Sequence, residues 1–298
     1  MYHLIGQKKE LNMYDKLKER YENFLDQIAK LKLSYRITSR TFECFLNELS
    51  KKQANFDKLN LDLTEKWTLP TNIENYYFIN PYTGKTELHR NNQFDYKEYA
   101  EQCYIHRNKQ YQWLLVDGYE LFEEYIIDLY KICCHHFKIK HLRLDKDKEG
   151  DMDNMELKKY VNKIIVKFRD KTPNIKIDEK NNKTGKNLFF YVKMIEQFRH
   201  IIVHKNGKVS DVDTILKNIL NKSGITGNKE LEPQYKKIIQ GYIYTNAEKR
   251  ELLGVIVLED YKINEIVSCR KFEGLANDLL GYAFILSCNL LLTLKNNT

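Results

Sequence analysis

The 298-residue chain carries 49 Lys+Arg against 41 Asp+Glu, a formal net charge of +8, and is 42% hydrophobic and 30% charged. That apolar share supports a buried core, and only 12 Gly and 4 Pro leave room for long helices, which excludes collagen-like, disordered and disulfide-stapled classes. The positive excess suits a polyanion partner such as nucleic acid without specifying one.

Six cysteines (Cys44, Cys103, Cys133, Cys134, Cys269 and Cys288) are scattered with no C-x-x-C spacing. The pattern points to reduced thiols and a cytoplasmic protein. The opening segment MYHLIGQKKELNMYDKLKER turns charged within eight residues and has no apolar signal core. The longest uncharged run, residues 279–294, is shorter than a bilayer requires. It is expected to be a buried C-terminal helix, with no membrane partner.

In chain order, residues 8–66 show helical apolar spacing in two stripes. Leu17, Tyr21, Phe24, Leu25, Ile28 and Leu31 form the first, and Phe42, Phe45 and Leu46 begin the second. Two amphipathic helices are predicted. Pro70, Pro81 and Gly84 then interrupt the periodicity, and YYFINPYTGKTELH reads as a hairpin turning at residues 80–85. Helical spacing resumes at Tyr96 and runs to about residue 137, with Glu123, Glu124 and Asp128 among its apolar positions. A charged connector, RLDKDKEGDMDN, leads to a helix predicted over residues 155–168, and the Lys/Asn-rich stretch at 170–187 reads as an exposed loop. Residues 188–207 then form a strong helix stopped at Gly207, residues 252–267 read as paired short strands, and residues 271–294 as the closing helix. The predicted class is mainly α, a helical bundle with small β insertions. An N-terminal helical module with the hairpin occupies 1–95, and the larger domain 96–298.

The chemistry concentrates in EQFRHIIVHKNG, residues 196–207, where Glu196, Arg199, His200 and His204 interrupt an apolar stripe. Glu196, His200 and His204 are four apart and share a helix face, whereas Arg199 and His204 are five apart, about 140° around the axis. Those two converge only at a fraying last turn or where two copies of the helix meet. Structural alternatives stand beside a catalytic one: His204 as a partner of the helix C-terminal dipole, and Arg199 paired to Glu196 on its own helix.

An Arg, a polar residue, three apolar positions and a His, followed by Asn-Gly, resemble the R-x4-6-H motif of the HEPN superfamily. Arg199, His200 and His204 fill that pattern. The resemblance extends to a preceding helix rich in Tyr and Glu, a β-like segment after the motif and a closing helix. It departs at Asn206, where members paired with nucleotidyltransferases carry Tyr. The resemblance implies a HEPN-like helical domain at 96–298 that homodimerises, bringing two motif helices to one cleft. It also implies a metal-independent endoribonuclease of toxin or antiviral-defence type with no cofactor, cutting transfer or messenger RNA, with a neutralising or activating partner. His204 would be the general acid–base, Arg199 the phosphate clamp, His200 a ring-orienting group or second proton carrier, and Glu196 its tuning carboxylate. Lys193, Lys205, Asn206 and Lys208 would take the RNA backbone. The alternative is a non-catalytic HEPN-like module that binds RNA or docks a partner.

Other signals compete. His200 and His204 have the spacing of a zinc pair but lack the HExxH glutamate, Ile201 standing in its place. Asp145, Asp147, Glu149, Asp151 and Glu156 fall at positions 1, 3, 5, 7 and 12 of a calcium loop, with Gly150 at the turn. A calcium-responsive interaction protein is the corresponding reading. The run Cys133–His136 places adjacent side chains about 100° apart on a helix, a poor zinc cage. Gly84-Lys85-Thr86 lacks the first Gly of a phosphate loop and reads as a turn.

Overall fold

The computed structural model describes residues 13–58, 72–94, 96–147, 151–244, 254–259, 261–262 and 268–295. Among them the chain is mainly helical with small antiparallel sheets of two and three strands. It divides into two compact units, residues 34–110 and residues 1–33 with 111–298. The boundary drawn at 95/96 from the sequence marks the start of a helix, whereas this division passes through the middle of two helices.

The first of those helices is α1 (Met13–Asp57). Two helices are predicted here and one forms, because the segment contains no Gly or Pro and its apolar stripe never loses phase. Leu17, Phe24, Ile28, Tyr35 and Leu49 are buried along its length. In the smaller unit, β1 (Asn72–Ile79) and β2 (Thr86–Phe94) form the predicted hairpin. Its turn closes by Asn80 N–H to the Lys85 carbonyl at 2.9 Å and Gly84 N–H to the Asn80 carbonyl at 2.8 Å, with Gly84 at φ +66°. In the same unit Phe45 packs on Tyr99 and Phe42 on His106, ring to ring.

The larger unit takes up α2 (Tyr96–Tyr130) from Tyr111 onward, followed by a six-residue π-helical stretch, Lys131–His136, and a 3-10 turn, Lys140–Leu142. The helix predicted over 155–168 is instead α3 (Asn154–Lys158), N-capped by Asp153, and α4 (Val161–Lys171). Tyr160, at φ −116° and ψ 7°, breaks the helical path between them. The stretch read as an exposed loop contains α5 (Pro173–Asp178). Proline fits a helix's first position because the missing N–H would have no partner there. Thr172, Ile175, Glu179 and Asn187 are buried along the stretch, so tertiary packing overrides its polar composition.

At the centre lies α6 (Leu188–Lys205), buried on almost every side from Leu188 to Ile195 and packed against α7 (Val212–Ser223) and α9 (Lys271–Lys295). α7 and α8 (Leu231–Gln240) fill a stretch that the sequence reading left unassigned. β3 (Lys208–Val209), β4 (Ile243–Tyr244) and β5 (Gly254–Ile256) form one sheet in the order β3-β5-β4. β6 (Tyr261–Lys262) pairs with β7 (Ser268–Cys269). Strands predicted to pair within 252–267 thus find partners outside that segment. α9 is long and apolar enough to cross a membrane, yet most of that window is buried within the fold, including Phe272, Leu275, Leu279, Tyr282, Leu286 and Leu290.

One buried charge ties these helices together. The Glu179 carboxylate accepts two bonds from Arg169, at 2.8 and 3.0 Å, and one from the Tyr282 hydroxyl at 2.8 Å. The Arg169 guanidinium lies 3.5 Å from the Phe189 ring centroid. The Glu179 carbonyl accepts Leu188 N–H at 2.9 Å, which fixes the start of α6. Removing one partner strands the other as a buried charge, so Glu179→Gln is expected to cost about 3 kcal/mol. Adding Arg169→Met should recover part of that loss. Urea unfolding of the two variants measures both, and a single variant within about 0.5 kcal/mol of wild type contradicts the assignment.

Candidate active site at the end of α6

Both ends of α6 are specified locally. Asn187 caps its start, its side-chain oxygen accepting Phe190 N–H at 3.2 Å. At the other end Asn206 and Gly207 are left-handed, at φ 52° and 76°, and Gly207 N–H returns to the Ile201 carbonyl at 3.2 Å. Only glycine fits the second position: a Cβ there would lie 2.6 Å from Nε2 of the buried Gln112. Gln112 itself donates to the Ile256 carbonyl at 2.6 Å. The last turn is therefore pinned between α2 and β5, and its side chains are carried out of the core.

His200, Val203, His204, Lys205 and Asn206 are exposed there, while Ile201 and Ile202 stay buried. The His200 and His204 rings meet with centroids 4.6 Å apart at 52°. Partial burial, reinforced by His204, Lys222, Lys205 and Arg199, holds His200 below its ordinary value, in the neutral form at pH 7. Arg199 faces α2, where Nη2 donates to Glu120 Oε1 at 3.1 Å. The helix stays regular through Lys205, so Arg199 and His204 remain about 140° apart around its axis.

Arg199 Nε is buried with no hydrogen-bond partner among the described residues, and so is the hydroxyl of Tyr119, which is 1% exposed. The Tyr119 hydroxyl is held far above its ordinary value by burial, with Glu196 and Glu123 adding to the effect and Arg199 opposing it. Burial likewise raises Glu123, against the pull of Arg199 and Lys158, and raises Asp117, with Glu120 contributing. Two unsatisfied donors thus lie in one field of carboxylates.

The remaining candidates fall in different places. Glu196 is bonded to Lys193 at 2.8 Å, Asn162 at 3.1 Å and Lys222 at 3.3 Å. Burial alone would raise its carboxyl, but the two lysines outweigh that and lower it. Lys193, expected on the RNA backbone, is buried on the inward side of α6 and spent on Glu196 and Asn162. Lys205, Asn206 and Lys208 are exposed beside the histidines. Glu120 and Tyr119 were missed in the sequence. For Glu120 the signal was the acidic stripe Asp117, Glu120 and Glu124 at helical spacing.

No group of three His, Cys, Asp or Glu among the described residues is arranged to hold a metal. Of the calcium-loop positions, Glu149 and Gly150 lie outside the described residues. The Asp145 side chain is 98% exposed and near Lys167, whereas Asp147 is fully buried. Asp147 accepts from His135 at 2.7 Å, Tyr130 at 2.8 Å, and the N–H groups of Asp151 and Met152 at 3.0 and 3.2 Å. Its carboxylate organises the connector from within, while Asp151 and Glu156 face solvent.

In comparison with known proteins, the chain matches no family model, no curated protein and no solved structure.

Two measurements check this geometry. Tyr119→Phe deletes an unsatisfied buried hydroxyl, so urea unfolding should show stability unchanged or raised by up to about 1 kcal/mol. Destabilisation of that size would mean the hydroxyl has a partner. For Asp147, burial would raise the carboxyl, but hydrogen bonds from His135, Tyr130 and Met152 N–H prevail and lower it. The unfolded chain therefore protonates first, and the contribution is complete above pH about 4 and lost as pH falls further. Acid unfolding of wild type should be steeper below pH about 4 than that of Asp147→Asn, and parallel curves would refute the role.

Proposed function

We propose that this chain is a metal-independent endoribonuclease of toxin or defence type, using a HEPN-like domain as a homodimer in the cytoplasm, with transfer or messenger RNA as substrate. The observation that carries the reading is the pair of imidazoles, 4.6 Å apart on the exposed last turn of an otherwise buried helix that also bears Arg199. A buried helix does not place two histidines in solvent for the sake of packing.

The chemistry needs two proton carriers and an anion clamp. Neutral His200 removes the proton from the ribose 2′-hydroxyl as that oxygen attacks the adjacent phosphorus. The P–O5′ bond breaks and protonated His204 gives its proton to the leaving oxygen. The products are a 2′,3′-cyclic phosphate and a 5′-hydroxyl end. Arg199 neutralises charge growing on the nonbridging oxygens through the exposed part of its guanidinium. Arg199 and His204 sit on different sides of one helix, and a second copy across a two-fold axis would complete the set. Lys205 and Lys208 supply phosphate contacts.

A second reading keeps the surface and drops the chemistry. Arg199 already has a carboxylate partner in Glu120, which favours a binding module that holds RNA or docks a protein without cutting.

The test is incubation of wild type, His204→Ala and Arg199→Ala with total and transfer RNA in EDTA, with fragment ends mapped. Expected is cutting by wild type to cyclic-phosphate ends and a loss of about 100-fold or more in each variant. An oligonucleotide with one 2′-deoxy sugar at the cut site should resist. Salt-sensitive RNA binding without any cutting would select the second reading. Cutting undiminished in His204→Ala would remove that residue from the site.

A further inference from the structure

A second constellation lies away from Arg199 and His204, where α1 passes the π-helical turn after α2. A cleft of about 450 Å³ opens there, lined by Lys16, Glu19 and Arg20 of α1 and by Lys131, His135 and His136. Lys16, Glu19 and Arg20 share one helix face by their spacing. On the opposite wall, the wider π-helical turn presents Lys131, His135 and His136 together, a device often found at functional positions.

The charges of this cleft are not closed among themselves. The Lys16 ammonium meets His136 Nε2 at 2.6 Å, two basic groups in direct contact with no carboxylate between them. An ammonium has only donors to offer, and here one of them is spent on a ring nitrogen instead of an anion. Arg20 reaches Asp128 only at 3.7 Å, in a half-exposed pair. The same carboxylate also faces Lys131, so Asp128 serves two cations, and among the described residues Glu19 is the one carboxylate in the lining against Lys16, Arg20 and Lys131. His135 is not a loose surface ring: its Nε2 is anchored at 2.7 Å on the fully buried Asp147, which Tyr130 and two backbone N–H groups hold in place. A buried acid supporting a ring that lines a basic cleft is the construction expected where that ring must hold one orientation.

We propose that this cleft is a phosphomonoester site. A phosphate dianion offers three terminal oxygens, which suits donors arriving from separate walls: Lys16 and Arg20 from α1, Lys131 and His136 from the turn. A planar carboxylate would be satisfied by Arg20 alone. On binding, the phosphate takes the Lys16 donor from His136. The volume falls in the range of small-ligand sites and leaves room for an organic group beside the phosphate. The site does not depend on the ribonuclease reading.

The test is calorimetric titration of the full chain with inorganic phosphate, AMP and adenosine, with the histidine ring signals followed by NMR. Expected is saturable binding of phosphate, AMP or both at one site, no binding of adenosine, and movement of the His135 and His136 signals. Tighter binding of AMP than of phosphate would assign the site to an organic phosphate, and equal affinity to the phosphate group alone. Lys16→Ala and Arg20→Ala should each weaken binding about tenfold or more while remaining folded by thermal unfolding. The proposal is overturned if neither phosphate nor AMP binds, if adenosine binds as well as AMP, or if binding is kept undiminished in both Lys16→Ala and Arg20→Ala.

Discussion

The larger unit depends on how it accommodates the Glu179 carboxylate. A buried carboxylate is tolerated only when its oxygens are occupied, and here Arg169 and Tyr282 occupy them from α4 and α9. The carbonyl of the same residue receives the first N–H of α6. Three helices are thus referenced to one residue. Arg169 is held further by the Phe189 ring, which belongs to α6 itself. Such a network contributes less net energy than an apolar core would, but it fixes register: α4 cannot shift against α9 without leaving the carboxylate short of a partner, and α6 starts from the same residue.

Register matters because α6 has two characters. From Leu188 to Ile195 it is core on nearly every side, and a helix so buried has no freedom to rotate. Its last turn is held by a different device, the left-handed Asn206–Gly207 ending against Gln112. Fixed at both ends, the helix places His200 and His204 in solvent and Arg199 against α2. Glu196, three residues before Arg199, belongs to the inner half in its bonding, and its lysine partners make it a strut rather than a tuning group. The boundary between packing and chemistry falls between those two residues.

The sequence made the helices legible wherever apolar period and end signals agreed. α6, with its Asn187 start and Asn-Gly stop, is the clearest case, and the hairpin at 80–85 is another, because Asn80, Pro81 and Gly84 each demand a turn. The failures share a cause. α1 was divided because its stripe thins after Leu31, although nothing in the backbone chemistry ends a helix there. α5 reads as a loop because its composition is polar, yet tertiary packing draws Thr172, Ile175, Glu179 and Asn187 inward along the stretch. A buried carboxylate cannot be told from a solvated one until its partners are known, and here they lie 10 and 103 positions away. The same limit hid Glu120. Three acidic residues on one face of α2 look alike in sequence, and only the crossing of α2 and α6 selects the one that meets Arg199. Lys193 was misplaced for the converse reason: a lysine beside a motif reads as solvated unless the whole helix face around it is known to be buried.

The pairing of Arg199 with Glu120 bears on whether this guanidinium can serve a phosphate. The two side chains retain 27% and 41% of their exposure, and an ion pair that wet contributes on the order of 0–1 kcal/mol. It also uses only one of the three guanidinium nitrogens. On the proposed reading a phosphate bonds two of the exposed guanidinium nitrogens at once where Glu120 takes one, which makes the carboxylate the weaker competitor. Asp117 and Glu123 are pushed toward their protonated forms by burial, which reduces the repulsion they would offer a phosphodiester anion beside Arg199. On the proposed reading Glu120 therefore acts as a placeholder for phosphate, and so wet a pair yields more readily than the far more buried Arg169–Glu179.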